Sequence, residues 1–192
     1  MYASCRKRET GDKRVFVQDG VAGTKLKFAH KLRSRTPGAT MTPEAKLQSM
    51  GLELPKLASP VANYVPFKIS GNMLYLSGQG PRDPSGSAIT GKVGKDVSVE
   101  AAYEHAKLVG LGLLAAAKTA AGELSRIEVV KVLGMVNAVP EFTEQPKVIN
   151  GCSDLFVAVL GERGRHARSA VGMASLPMNI SVEIEAVMRI HD

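Results

Sequence analysis

The sequence predicts an α+β sandwich of order ββαβαββ, in which two helices lie on one face of a mixed sheet. Three observations lead to this fold class. The pair at 71–72, Gly-Asn, separates two apolar runs, which is typical of a β-hairpin turn. Residues 98–121 and 142–160 are predicted as helices, and the β-branched run 127–137 between them as a strand. The last part of the chain, residues 161–192, alternates apolar and polar side chains as two further strands do.

Charge divides the chain into a basic N-terminal tail, residues 1–40, and a neutral remainder. The tail holds ten Lys or Arg and three acids, so residues 41–192 hold 15 charges of each sign. It has few large apolar residues and is predicted to be disordered. Three explanations stay open: an organelle presequence, an arm attracted to nucleic acid or acidic membrane, and an artefact of the chosen start site. The expected location is cytoplasmic, or mitochondrial if residues 1–40 are a presequence.

Residues 41–59 are predicted to form a short helix and an extended lead-in to the main domain, residues 60–192. Thr42 is the expected N-cap of this helix, Pro43 its first residue and Gly51 its stop. The proline-punctuated stretch 52–60 then runs in an extended conformation.

The first predicted hairpin joins residues 65–70 and 73–77. Residues 80–94, rich in Gly, Pro, Asp and Ser, are expected to form a surface loop without the spacing of a phosphate-binding loop. Ser98 is the expected N-cap of the long helix that follows, and Gly122 its stop.

The two C-terminal strands carry the most informative charges. Arg168 alternates with small residues on the first of them, residues 166–173, and Glu183 opposes an apolar face on the second, residues 180–188. Pro177 places a turn or crossover between them. In a simple hairpin Arg168 would face Glu183, although another strand order would break this pairing. The plainer interpretation is an exposed cross-strand pair on a solvated face.

Four stretches resemble one known family in order and spacing. They are NYVPFKISGNMLYLSGQGP at 63–81, IEVVKVLGMVN at 127–137, VINGCSDLF at 148–156, and HARSAVGMASLP followed by VEIEA in the last part of the chain. The run from about Pro60 to Ile190 resembles a divergent branch of the reactive intermediate deaminase family (RidA or YjgF, also known as the perchloric-acid-soluble ribonuclease family). This resemblance implies the chorismate-mutase-like fold and a homotrimer with clefts between subunits.

The resemblance also implies an activity, the hydrolysis of reactive 2-imino acids and their enamine tautomers to 2-oxo acids and ammonia. Arg168 stands at the position of the family's carboxylate-binding arginine, and a guanidinium suits a carboxylate because it offers two parallel hydrogen bonds. Glu183 resembles the glutamate that positions the attacking water. Glu185 shares its face and is its rival, but the spacing from the Leu-Pro pair favours Glu183.

Three more residues resemble substrate-binding positions of the family. They are Tyr64, eight residues before the turn asparagine, Ser77 in SGQ, and Asn150 in VINGCSDLF. Each also has a plainer interpretation: a half-buried residue at a strand edge, a hydroxyl at a strand end, and an exposed helix residue.

The chain departs from the family pattern at several positions. Ala170 stands where well-studied deaminases often have cysteine, and Cys152 lies elsewhere in the sequence. Asn63 replaces the usual proline before the tyrosine, and the segment 143–148 is about four residues longer than in compact members. These departures predict an altered substrate pocket.

Other classes of site and partner are disfavoured by the composition. Two cysteines make no disulfide framework, and four histidines without ligand spacing predict neither metal nor other cofactor. No apolar run is long enough to span a bilayer. Ribonuclease or translation-inhibitor activity is the second hypothesis, but a neutral core argues against a general RNA-binding cleft. A trimer that binds small carboxylates without catalysis is the third.

Overall fold

The computed structural model describes residues 41–57 and 63–192, so the predictions made for residues 1–40 and for Pro60 lie outside the described residues. Within these ranges the chain forms three α-helices and five strands. In order they are α1 Pro43–Ser49, β1 Phe67–Ser70, β2 Met73–Gln79, α2 Val99–Ala121, β3 Ile127–Asn137, α3 Gln145–Leu160, β4 Ala167–Met173 and β5 Val182–Ile190. None of the helices described here is long and apolar enough to cross a membrane.

The five strands form one mixed sheet in the order β1-β2-β5-β3-β4. β3 and β4 are parallel, and every other neighbouring pair is antiparallel. α2 packs on β2 and β5, whereas α3 packs on β3 and β4, so both long helices cover the same face. The predicted α+β fold, with two helices on one face of a mixed sheet, is confirmed.

Alternation along the strands separates a covered face from an open face. Leu74 and Leu76 of β2 are buried beneath the helices, while Tyr75 between them is 48% exposed on the open face. The apolar side of β5 is likewise buried, as predicted, at Val182, Ile184, Ala186 and Met188. The core therefore lies between the sheet and the two long helices.

Of the two connections left open between the C-terminal strands, the structure has the crossover and not the simple hairpin. β3 lies between β4 and β5 and pairs with both of them. Because α3 is the crossover that returns the chain beside β3, β4 takes one side of β3 and leaves the other side for β5. Arg168 therefore does not face Glu183 across a hairpin.

The ends of α2 lie where the sequence predicts them, whereas α3 starts later than predicted. Ser98 caps α2 by accepting a hydrogen bond from the amide of Ala101 at 3.2 Å, and Gly122 ends the helix with φ 86°. The predicted start of α3 at Phe142 is wrong, because α3 begins at Gln145. Pro146 explains the difference, since a proline ring clashes with the carbonyl four residues earlier in a helix, which here is that of Phe142.

The short N-terminal helix is part of the folded unit. Thr42 caps α1 as predicted, with its hydroxyl 3.2 Å from the amide of Ala45. Leu47 is buried against the core, and the carboxylate of Glu44 accepts a hydrogen bond from the amide of Leu124 at 2.9 Å. These contacts fix α1 beside the C-terminal end of α2.

Glycines set the close approach of α3 to its neighbours. A methyl group added at Gly151 would lie 1.9 Å from the carbonyl oxygen of Tyr103 in α2. One added at Gly134 of β3 would lie 2.6 Å from the side chain of Ile149. Real Cβ atoms do not come this near, so these two glycines allow α3 to sit directly against α2 and the sheet.

Replacing Gly151 with alanine is expected to lower the free energy of unfolding by about 3 kcal/mol, because the new methyl group must push the backbone of α2 away. Urea denaturation followed by circular dichroism measures this loss. Val157→Ala, in the same helix but 37% exposed, is the control and should change stability by about 0.5 kcal/mol or less. Equal stabilities of Gly151→Ala and wild type would contradict the packing described here.

Candidate functional site

Arg168 lies on the edge strand β4 and points to the helix-covered face. Its register partner on β3, Val132, is fully buried under the helices. Nη1 of Arg168 donates to Asn150 Oδ1 at 2.8 Å and to Ser153 Oγ at 3.0 Å. Asn150 and Ser153 are three residues apart on α3 and so share one side of that helix. We call these three residues the arginine half-site.

The guanidinium keeps part of its hydrogen-bonding capacity for a ligand. Nη2 meets only the Pro146 carbonyl oxygen, at 3.5 Å, and Nε has no hydrogen-bond partner among the described residues. No acidic side chain in these ranges forms an ion pair with Arg168. A partly buried arginine arranged in this way can bind a carboxylate or another planar anion through the edge formed by Nε and Nη2.

Glu183 lies on the open face of the sheet. Its carboxylate rests on Gly78 of β2, where an added methyl group would lie 2.2 Å from Oε1. A register shift between Leu76 and Gln79 places this glycine beside β5. Burial raises the pKa of the half-buried Glu183 carboxyl, and the negative charge of Glu185 raises it further. A raised pKa makes this carboxylate a stronger base toward a bound water molecule than an ordinary glutamate.

Ser77 directly precedes Gly78, and Tyr64 directly precedes Val65, the residue to which Ser77 is hydrogen-bonded. Ser77 Oγ donates to the carbonyl oxygen of Val65 at 2.7 Å, which ties the segment before β1 to the end of β2. Tyr64 precedes this anchored residue and is 51% exposed. We call Glu183, Gly78, Ser77 and Tyr64 the glutamate half-site.

Arg168 and Glu183, the central residues of the two half-sites, do not meet within one chain. Arg168 and Ala186 both pair with Val132, whereas Glu183 pairs with Met135, three residues further along β3. Three residues is an odd step, so Glu183 and Arg168 project from opposite faces of the sheet. Their Cα atoms are about 14 Å apart by strand spacing and rise. The predicted pairing of these two residues is therefore wrong for a single chain, although the structure does bring Asn150 to Arg168.

Cys152 lies away from Ala170, the position at which the family resemblance leads one to expect a cysteine. It is fully buried, and its sulfur lies against α2, 3.3 Å from the position of a methyl group added at Gly110. Burial raises the pKa of the Cys152 thiol far above its ordinary range, which leaves it un-ionised. Ala170, partly buried, packs against the core next to Arg168.

Sequence reasoning gave no role to two residues of this region, Ser153 and His166. Ser153 Oγ lies 3.0 Å from His166 Nε2, so the hydroxyl bridges His166 and Arg168. The signal was present in the sequence. Ser153 follows Asn150 at helical spacing, and His166 precedes Arg168 at strand spacing, so each pair shares a face.

The pKa of Glu183 is expected to depend on the charge of Glu185. Replacing Glu185 with glutamine removes a like charge, which favours the ionised form of Glu183 and lowers its pKa. Carbon-13 NMR of the side-chain carboxyl groups measures the titration midpoint of Glu183 in wild type and in Glu185→Gln. A reaction that needs ionised Glu183 is lost as the pH falls through this pKa, so its acid limit should move to lower pH in Glu185→Gln. An unchanged midpoint in the variant would contradict the effect of the Glu185 charge on Glu183.

Comparison with known proteins gives a consistent family. Residues 44–187 match the family model described as YjgF/chorismate mutase-like, putative endoribonuclease. Protein TCP17 of Trypanosoma cruzi is 41% identical over 150 residues, which cover 77% of this chain and 94% of that protein.

Solved structures agree with this match. The protein Atu1372 of Agrobacterium tumefaciens, of unknown function, is 54% identical with a TM-score of 0.71 over 78% of this chain and 94% of that one. A putative endoribonuclease of Shewanella oneidensis is 36% identical with a TM-score of 0.75 over 78% and 99%. RidA of an Antarctic Psychrobacter is 29% identical with a TM-score of 0.52 over 70% and 94%. The chain therefore belongs to the YjgF/chorismate mutase-like family.

Proposed function

We propose that this protein hydrolyses 2-imino acids, and their enamine tautomers, to 2-oxo acids and ammonia. The observation that carries the proposal is Arg168, a partly buried arginine that lacks an acidic partner among the described residues and keeps its Nε and Nη2 edge for a ligand. A 2-imino acid supplies the carboxylate that such an edge binds, and its reactive carbon is the next atom along. A similar protein from Psychrobacter is named RidA, which agrees with the proposal.

The proposed reaction uses two groups in named roles. Arg168 binds the carboxylate, and Glu183 accepts a proton from water as the water oxygen bonds to the imine carbon. The nitrogen of the adduct then receives that proton from Glu183, which gives a neutral carbinolamine. Glu183 next carries the proton of the new hydroxyl group to the nitrogen as the C=O bond forms and the C–N bond breaks, which releases ammonia and leaves a 2-oxo acid. The raised pKa of Glu183 suits both steps, because the same carboxyl group must take up a proton and return it. Tyr64, Ser77 and Asn150 are proposed to line the substrate site.

We propose that neighbouring subunits of a homotrimer join the two half-sites. Arg168 and Glu183 lie on opposite faces of one sheet, so a single chain cannot present both to one small molecule. The open face exposes Tyr75 and Val171, at 48% and 40%, and apolar surface of this kind is typical of an interface. A second copy that covers this face would place its β4 edge, with Arg168, beside the glutamate half-site of the first.

Endoribonuclease activity is the alternative, and it is also a name used for the family and for similar structures. The glutamate half-site disfavours it, because Glu183 and the exposed Glu185 are neighbouring acids on one strand. Two carboxylates repel the phosphate groups that dominate RNA binding.

The test of the proposal couples the protein to a dehydratase that generates 2-imino acids from serine or threonine, and follows imine loss against buffer alone. Faster imine loss is the expected result. No acceleration together with calorimetric binding of 2-oxobutanoate would replace the proposal by a carboxylate-binding trimer without catalysis. Cleavage of single-stranded RNA without imine turnover would replace it by the ribonuclease alternative.

A further inference from the structure

Ser153 and His166 form a chain of hydrogen bonds behind Arg168. Ser153 Oγ lies 3.0 Å from Arg168 Nη1 on one side and 3.0 Å from His166 Nε2 on the other. His166 Nδ1 lies 2.6 Å from the carbonyl oxygen of Gly164. The chain thus runs from the backbone after α3, through a ring and a hydroxyl, to the guanidinium.

The hydrogen bonds among Gly164, His166, Ser153 and Arg168 all have one consistent donor-to-acceptor assignment. A carbonyl oxygen only accepts, so Nδ1 of His166 carries the hydrogen that the Gly164 carbonyl receives. In a neutral ring Nε2 is then the acceptor, and the Ser153 hydroxyl donates to it. The lone pairs of Ser153 Oγ are left to accept the N–H of Arg168.

The surroundings of His166 favour the neutral ring that this direction requires. Burial lowers the pKa of His166, and the positive charge of Arg168 lowers it further, while the Gly164 carbonyl acts in the opposite sense. Phe156 of α3 packs edge-on against the ring, with centroids 5.9 Å apart. Arg168 is thus the charged group that acts on His166 from β4, and α3 presents a hydroxyl and an apolar ring to it.

The turn before His166 packs closely against the end of α3. An added methyl group at Gly164 would lie 2.2 Å from the carbonyl oxygen of Phe156, so only glycine lets the chain fold so closely against the end of α3. This fold-back places His166 within reach of Ser153, three residues before Phe156. The chain of hydrogen bonds thus connects α3, the turn after it and β4.

We propose that Ser153 and His166 are positioning residues that fix the plane of the Arg168 guanidinium and, with it, the direction of the Nε–H, which has no partner among the described residues. The inference rests on the proposed role of Arg168 as the carboxylate-binding group. Asn150 accepts from the same Nη1 atom, and the Pro146 carbonyl oxygen, 3.5 Å from Nη2, is a weak contact, so these two leave the guanidinium free to rotate. The hydroxyl supplies the second point that fixes its plane.

The experiment compares Ser153→Ala, His166→Leu and the double variant with wild type. Nitrogen-15 NMR reports the His166 tautomer and the exchange of the Arg168 guanidinium hydrogens, and neither signal depends on catalysis. We expect the Nδ1–H tautomer in wild type and faster hydrogen exchange at Arg168 in each single variant. The double variant should be no faster than either single one, because both residues act through one chain.

Carboxylate binding provides the second readout. Each single variant should bind 2-oxobutanoate about tenfold more weakly by calorimetry, as expected when a charge-assisted hydrogen bond is lost, and the double variant should lose no more. Ser169→Ala is the matched control, since Ser169 lies on the same strand but bonds Lys131 Nζ at 2.9 Å on the open face. It should leave both readouts at the wild-type value.

The outcomes separate this inference from the proposed function. Faster exchange at Arg168 in the variants, with no carboxylate binding by wild type, would uphold the positioning role and remove the proposed function. Unchanged exchange in Ser153→Ala, additive losses in the double variant, or an Nε2–H tautomer of His166 would each overturn the positioning role. Ser153→Thr keeps the hydroxyl and should restore slow exchange, which distinguishes loss of the hydrogen bond from a general disturbance of α3.

Discussion

Replacing Arg168 with methionine is expected to lower kcat/KM for imine hydrolysis by about 100-fold or more. Methionine keeps much of the length and apolar bulk of the side chain but has no N–H groups, so the substrate carboxylate loses both its binding partner and its orientation. Arg168→Lys should remain strongly impaired, because an ammonium group cannot reproduce the planar pair of donors. Initial rates of imine loss over a range of imine supply measure the effect.

Arg165→Met is the control for loss of one positive charge nearby. Arg165 lies three residues earlier, is exposed, and pairs with Glu162 at 3.1 Å outside the arginine half-site. It should keep kcat/KM within about twofold of wild type, as surface substitutions commonly have little effect. A fully active, folded Arg168→Met would remove the proposed role of Arg168, and an equal loss in both variants would reduce it to a general charge effect.

Replacing Glu183 with glutamine is expected to lower kcat by about 100-fold or more with little change in KM. Glutamine fills the same space over Gly78 but cannot take a proton from water, so the chemical step slows while the carboxylate of the substrate still binds to Arg168. The pH profile supplies a second sign, because the acid limit set by Glu183 should be absent from the residual activity. Steady-state kinetics over a wide pH range measure whether this acid limit is lost.

Glu185→Gln distinguishes the two acids on β5. Glu185 is exposed, whereas Glu183 is half-buried against Gly78, so the glutamine variant of Glu185 should keep kcat within a few fold and move the acid limit to lower pH. A large loss of kcat in Glu185→Gln with an active Glu183→Gln would assign the proton transfer to Glu185 instead.

Local features of the fold could be predicted from the sequence, because they depend on neighbours along the chain. The N-caps Thr42 and Ser98 and the strand Ile127–Asn137 are where periodicity and capping chemistry place them. The start of α3 differs from the prediction because Pro146 imposes a clash on the preceding turn that the apolar pattern does not contain. The strand order could not be predicted from the sequence for a different reason. Pairing of β3 with both β4 and β5 is a long-range property that the alternation of either strand does not contain.

In the candidate site, too, some features could be predicted from the sequence and others could not. The residue types at Arg168, Glu183 and Asn150 could be recognised from motifs, and the contact between Arg168 and Asn150 is present in the fold. The separation of Arg168 from Glu183 could not be recognised, since it follows from the strand order. Ser153 and His166 were visible as residues, but their connection requires the tight turn at Gly164, which brings the end of α3 beside the start of β4.

The central claim is that Arg168 of one subunit and Glu183 of its neighbour act on one substrate. Mixing the inactive Arg168→Met and Glu183→Gln proteins in equal amounts, by refolding them together, tests it directly. Random mixed trimers should recover about one quarter of wild-type activity, because one site in four then pairs an intact Arg168 with an intact Glu183 across a head-to-tail interface. Activity that stays at the level of the separate variants, in trimers shown by native mass spectrometry to be mixed, would contradict the account.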